Sequence, residues 1–338
     1  TLAYSSSFFV NNQGTDWTKV GSIYNGVETD MNYALFNRPF GFFELQTNNP
    51  QGAEQIFTFK GNIYGNTCPE VNFQYGWPGF SNAYMAEIEP NAFWDYLETQ
   101  TADPTIYTYR QIGPTSLAWD AYNPLVTGEN LKPMRAFMLR NTNADKKLAM
   151  DYTAMVWNPA MGVKPAGAPR MSHIEKATMR VVDANGVYDK LTVAQDASFD
   201  ANCKYNAEKF MNTELNLYVK AEKNLAIAAF DNLNNTFVGF NCKNAGKYTI
   251  SFENVTGNFA LVDNKTNARI QMTEGATYEF IAEAGEDAYR FTIVAGAQAP
   301  TDMQKTNAAV KANKALVNGQ IVISNGERFF NVLGTEVK

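Results

Sequence analysis

The chain has a single histidine among 338 residues, three cysteines, and no apolar run near the ~20 residues that cross a bilayer. Each scarcity excludes something. With His173 alone, in Met171-Ser-His-Ile-Glu-Lys176, a multi-histidine metal site has no ligands, and a histidine base has one candidate. Its place just after a Pro/Gly-rich stretch reads as an ordinary surface or edge position. Cys68, Cys203 and Cys242 stand in no CxxC and near no histidine, which gives no support to a zinc or redox motif. An oxidising compartment permits a Cys203–Cys242 bridge, the one pair inside a single expected domain. Three unpaired small core residues are the other reading. The nucleophile elbow, the HExxH helix, the phosphate loop and the dinucleotide fingerprint are all missing. Lys and Arg number 28 against 34 Asp and Glu, a net charge of −6. No basic surface exists to neutralise phosphates, so nucleic acid is not an expected partner.

The chain opens at Thr1 without a charged n-region or apolar h-region. It is therefore expected to be a mature or truncated form whose export signal is gone, or a part of a larger parent. At 37.6 kDa it is long for one core, which makes two domains and a tail the natural division.

What is present is β-rich. Hydrophobic residues make up 45%, and 17 Tyr with 23 Phe suit sheets with buried faces. The abundant Asn and scattered Lys and Arg read as a solvated, loop-rich exterior. Helical periodicity is confined to Pro90–Leu97, Asp200–Met211 and Asp302–Lys314. Elsewhere apolar residues alternate, as in Thr178–Val182, Leu225–Ala229, Lys247–Phe252, Phe259–Val262, Thr277–Ile281 and Tyr289–Val294. Turn chemistry predicts three hairpins in the second half. Asp183–Val187 joins Met179–Val182 to Leu191–Val193, and Asp263–Asn267 joins Phe259–Val262 to Arg269–Met272. Glu283–Asp287 joins Thr277–Ala282 to Tyr289–Val294. Connectors poor in bulky residues begin at Asn158 and Ala295. The expected fold is all-β: two antiparallel, jelly-roll-like sandwiches at 1–158 and 170–294, a linker at 295–314, and a terminal β-hairpin at 315–338.

Candidate chemistry is thin. Paired carboxylates suffice for glycoside hydrolysis, and Glu87 with Glu89, or Glu283 with Glu286 and Asp287, are the candidates. Solvent-facing strand residues and turn formers are the plainer account of both. Asp183-Ala-Asn185-Gly186 offers oxygens to Ca²⁺ but lacks a full ligand set, so it reads as a turn. No catalytic, cofactor or metal site is expected. The aromatic run Phe73-Gln-Tyr75-Gly-Trp77-Pro-Gly-Phe80 has Trp94, Trp119 and Tyr122 further along the chain. Its Tyr75, Trp77 and Phe80 either cap the sandwich core or form a platform for sugar rings, with Asn72 and Asn82 binding hydroxyls.

The terminal stretch, Lys314–Lys338, holds two β-branched and aromatic runs, Gln320–Ile323 and Arg328–Leu333, around Ser324-Asn325-Gly326. Its pattern of Gly319, Gln320, Asn325, Gly326, Asn331, Leu333, Gly334, Val337 and Lys338 closely resembles the C-terminal sorting signal of the type IX secretion system. In the body, Phe57–Gly65, Ile88–Asp95, Thr105–Tyr109 and Leu131–Leu139 resemble, in order, segments common in surface proteins carrying such signals. Tyr188–Val193, Phe199–Phe210, Gly246–Phe252 and Tyr278–Phe280 resemble the block that follows. Departures are Ile63 where proline is usual and Met134-Arg135 where Gly-Gln is usual. The resemblance implies a β-sandwich protein secreted across the outer membrane of a Gram-negative bacterium and displayed at the cell surface. The tail would be read by the type IX machinery, with attachment to surface lipopolysaccharide. It carries no chemistry with it, because these segments accompany many activities. A non-catalytic role in adhesion, structure or capture of glycans or other surface proteins is the expectation. A carbohydrate-binding module and the C-terminal part of a larger exported hydrolase are the alternatives.

Overall fold

A computed structural model describes residues 5–11, 17–24, 27–30, 42–48, 68–101, 103–112, 116–126, 128–156, 171, 173–200, 203–296, 313–317, 320–324, 329–331 and 336–337. The protein is all-β with two short helices, and falls into two compact units, Thr1–Ala297 and Gln298–Lys338. Among the described residues no helix is long and apolar enough to cross a membrane.

The first unit begins with β1 (Ser5–Asn11), β2 (Trp17–Tyr24), β3 (Val27–Thr29) and β4 (Phe42–Asn48), an antiparallel sheet in the order β3-β2-β1-β4. Short elements follow: β5 (Glu70–Phe73), β6 (Gly79–Ser81), α1 (Pro90–Glu98), β7 (Ile106–Gln111), β8 (Leu117–Tyr122), β9 (Ala136–Met138), β10 (Lys146–Ala149) and α2 (Tyr152–Met155). They form a β6-β9-β7-β8 sheet and a β5-β10 ribbon. Helix α1 forms where its sequence predicts. Glu89 caps it, Oε2 accepting from the Ala92 amide at 2.6 Å, and Pro90 in the first turn has no N–H to leave unpaired. Its Phe93, Trp94 and Leu97 are buried on one face. Glu89 is thus a helix cap and not a strand residue sharing a face with Glu87.

This part of the chain is rich in loops yet buried, and asparagine explains how. Asn82, Asn123 and Asn141 are nearly inaccessible. Each accepts from the backbone amide two residues on, at 3.0 Å, through its side-chain oxygen. Each also donates from Nδ2 to a distant carbonyl: Asn82 to Leu131, Asn123 to Tyr205 and Asn141 to Phe73, at 2.7, 2.7 and 2.8 Å. One amide side chain both forms the turn and ties it to the next loop, supplying bonds a sheet would otherwise make. These asparagines are structural core, not solvated exterior.

Residues 175–295 build one large sheet from β11 (Glu175–Asp183), β12 (Tyr188–Gln195), β13 (Ala207–Glu208), β14 (Leu215–Val219), β15 (Leu225–Phe230), β16 (Thr236–Cys242), β17 (Gly246–Glu253), β18 (Phe259–Asp263), β19 (Ala268–Gln271), β20 (Thr277–Ala282) and β21 (Gly285–Ala295). The order is β19-β18-β21-β16-β14-β15-β12-β11-β17-β20, with β13 beside β15. The sheet folds over on itself: Phe280 of β20 packs 5.1 Å from both Phe240 of β16 and Phe291 of β21. The enclosed core is lined by the alternate residues Ala177, Met179, Val181 and Leu191, Val193.

Two hairpins form as expected, β11–β12 and β18–β19, with the Asp183 and Asp263 side chains each bonding the amide two residues on. The third does not. β20 pairs with β17, while β21 pairs with β16 and β18, so Glu283–Asp287 crosses between layers. Pairing is also not wholly antiparallel, since β12 and β15 run parallel. The helical turn expected over Asp200–Met211 is replaced, in its described part, by a tight turn and β13.

Two buried ion pairs sit in this sheet. Lys209 Nζ meets Asp189 Oδ1 at 2.6 Å, and Asp189 Oδ2 accepts the Leu217 amide at 2.7 Å. Arg290 Nη2 meets Asp263 Oδ2 at 2.7 Å, an oxygen that also accepts from the Tyr278 hydroxyl at 2.8 Å. Burial alone would push Asp263 up, but the Arg290 and Tyr278 hydrogen bonds outweigh it and hold the carboxyl below its usual range.

The second unit is a sheet of four strands in sequence order, β22 (Asn313–Val317), β23 (Gln320–Ser324), β24 (Phe329–Asn331) and β25 (Glu336–Val337), all pairs antiparallel. The expected hairpin is its centre, extended by a strand on either side.

Candidate binding cleft

The outer face of β11, β12 and β15 is covered by β7, β8 and β9 of the β6-β9-β7-β8 sheet. Tyr107, Ala121, Leu125, Ala136 and Met138 pack there with Ala194, Phe199, Ala207, Ala226 and Ile227. This is why Leu225-Ala-Ile-Ala-Ala229 is buried at every position, although it reads as an alternating strand. Polar contacts fasten the seam. Arg110 on β7 donates from Nε to Asp120 Oδ2 at 2.9 Å and from Nη2 to the Tyr188 carbonyl at 2.7 Å. Its guanidinium carbon stands 3.7 Å from the Tyr188 ring centroid. Lys176 Nζ donates to the Leu125 carbonyl at 2.8 Å, and burial lowers the pKa of that ammonium.

Along this seam lies a cleft of about 280 Å³. Trp119 and Tyr122 of β8 form one wall, Tyr188 and Lys190 of β12 the other. Thr178, Thr192, Ala226 and Ile227 line its sheet side, with Glu129 and Asn254 also at the cleft. Trp119 is held by edge contact with Tyr109 at 5.7 Å and by Phe210 at 5.8 Å. Tyr122 lies against Gly128, where any Cβ would come within 2.6 Å of the ring. Burial pushes the Tyr122 phenol up, partly offset by its hydrogen bond with Thr108. The hydroxyls of Thr178 and Thr192, both buried, bond each other at 2.9 Å.

Of the two readings of the aromatic run, core cap and sugar platform, the platform does not assemble. Tyr75 is 67% exposed, but Phe80 is fully buried against Phe73 and Phe137. Trp77 is half-buried, edge-on to Tyr107 and Phe210 at 5.2 and 4.4 Å, with the Arg140 guanidinium over it. Gly79–Ser81 is a strand, not a loop, and it carries Phe80 inward. Asn82 is committed to backbone bonds, and Asn72 accepts from Lys147. Trp94 stacks on Tyr205 in the interior at 5.3 Å. Only Trp119 and Tyr122 of the aromatics named from sequence reach the cleft.

The remaining candidates are dispersed. His173 is exposed, 3.7 Å from Asp196. Glu87 accepts from Asn130 at 2.9 Å; Glu286 accepts from Tyr218; Asp287 pairs with Lys265 at 3.3 Å. All three cysteines are free, with Cys203 and Cys242 in different clusters. Among the described residues no three His, Cys, Asp or Glu stand close enough to hold a metal. Of the tail positions, Gln320 lies on β23, Asn331 on β24 and Val337 on β25. Gly319, Asn325, Gly326, Leu333, Gly334 and Lys338 fall outside the described residues, as do Phe57–Gly65 and the connector at 158–170.

Tyr188, Lys190, Thr178 and Thr192 were not legible as a site. A signal existed: outward positions of the β11–β12 hairpin place Arg180 directly opposite Lys190, an unfavourable like-charge pair on a face that also carries Tyr188. No protein-family model, no characterised protein and no solved structure matches this chain.

Proposed function

We propose that this chain is a non-catalytic protein exported through the type IX secretion system and displayed outside the outer membrane, where it serves adhesion, assembly or ligand capture. The observation that carries this is the tail. Residues 298–338 are a compact unit of their own, a four-stranded meander, and they bear the sorting-signal pattern ending Asn331-Val-Leu-Gly334 … Val337-Lys338. A segment read by export machinery has to be recognisable apart from its cargo, and a separate unit meets that demand. The partners on this account are the secretion machinery and, for attachment, surface lipopolysaccharide, with glycans or other surface proteins as what the displayed body meets. The test is removal of Leu316–Lys338 in a host that has a type IX system. Periplasmic retention of a folded body is the expected outcome, and undiminished surface display would refute the reading.

A further inference from the structure

We propose that the cleft between β8 and the β11–β12 face is a saccharide-binding site, taking one or two sugar rings against Trp119. The inference goes beyond the export reading and is tested separately, on purified protein. Three observations converge on it. The first is size: about 280 Å³ lies just under the ~300–1,000 Å³ of drug-sized ligand pockets, which suits one ring or two. The second is the wall chemistry. Trp119 offers a flat apolar face to sugar C–H groups, while Glu129, Asn254 and Lys190 offer hydroxyl partners of both kinds; the Tyr188 ring is taken by the Arg110 and Arg180 guanidiniums at 3.7 and 4.2 Å. Trp119 is already fixed by Tyr109 and Phe210, so little side-chain freedom would be lost on binding.

The third is a proton without a destination. Thr178 and Thr192 hold two hydroxyl hydrogens, and their mutual bond uses one. Among the described residues no acceptor takes the other, although both side chains are buried. A buried donor left unmade is costly, and an oxygen-rich ligand would satisfy it. Apolar ligands would leave this donor stranded, and the nearest acids, Asp120 and Glu129, argue against a phosphate.

The probes are glucose, galactose, mannose, N-acetylglucosamine, cellobiose and glucuronic acid, added to the purified full chain and followed by tryptophan fluorescence and saturation-transfer NMR. At least one should bind with a Kd on the order of 1 mM or tighter. Trp119→Ala should weaken that binding tenfold or more. The double variant Thr178→Val with Thr192→Val replaces both members of the hydroxyl pair by groups of like shape, which keeps folding nearly neutral and removes the free donor. It too should lose binding, with unchanged melting, whereas Trp77→Ala and Tyr75→Ala should not. Silence with every probe overturns the proposal. So does binding that survives the double threonine variant, or that depends on Trp77 instead.

Discussion

Residues 68–156 and 175–295 solve the same problem, how to bury a polar backbone, by different means. In the later stretch β11, β12, β16, β17 and β21 run for seven to eleven residues, and neighbouring strands satisfy one another. In the earlier stretch strands last three to six residues, and Asn82, Asn123 and Asn141 supply the missing bonds. A sheet distributes its hydrogen bonds over many residues. A loop cluster concentrates them in a few side chains, and those few become hard to replace.

The largest effect is expected where the long sheet itself departs from pure ladder bonding. Lys209→Met removes the hydrogen-bonded ion partner of buried Asp189 and leaves it only one cation, Arg110 Nη2 at 3.9 Å, and should cost about 3–5 kcal/mol in denaturant unfolding. Next come the asparagines. Asn141→Ala strands the Phe73 carbonyl and the Asn143 amide, and should cost about 2–3 kcal/mol. Asn232→Ala removes a comparable turn bond, to the Asn234 amide at 2.8 Å, but at an exposed site. It should cost about 0.5–1 kcal/mol. Equal losses at the two sites would erase the distinction between the regions.

Acid behaviour sharpens the comparison further. In the earlier region burial, with Glu98 and Glu89 nearby, raises Asp95 to about 6. The folded state therefore holds an extra proton between about pH 4 and 6, and this group's contribution falls as pH rises through that window. Asp95→Asn should raise the melting temperature at pH 7 relative to the parent, and the gain should vanish below about pH 4. In the later region Asp263 has the opposite sign. Its folded pKa is depressed, so its contribution is present above the ordinary carboxyl range and lost as pH falls below it. The smallest effect is expected at Ile281, 73% exposed on β20, where Ile281→Ser should shift stability by no more than about 0.5 kcal/mol.

What was legible follows the same division. The Asp183 and Asp263 turns, the Pro90 helix and the all-β class are local chemistry, and local chemistry is written in short stretches of sequence. The failed β20–β21 hairpin shows the limit. Glu283-Ala-Gly-Glu-Asp287 has good turn residues, yet long-range pairing of β20 with β17 and of β21 with β16 overrode them. Gly and Pro beside Phe80 suggest a loop, whereas its short strand is set by pairing with Ala136–Met138, more than fifty residues away, and the burial that follows is the core-capping one of its two readings. The cleft was invisible for the same reason: Trp119 and Tyr188 line one space only because β8 covers the β11–β12 face.

Export by a detachable signal requires a body that folds without its tail. The direct measurement is thermal and denaturant unfolding of a chain ending at Ala297 beside the full-length protein. Matching midpoints and equally steep transitions for the body are predicted. A truncated chain that melts well below the full one, or unfolds without cooperativity, would show that residues 298–338 belong to the core they are said to leave.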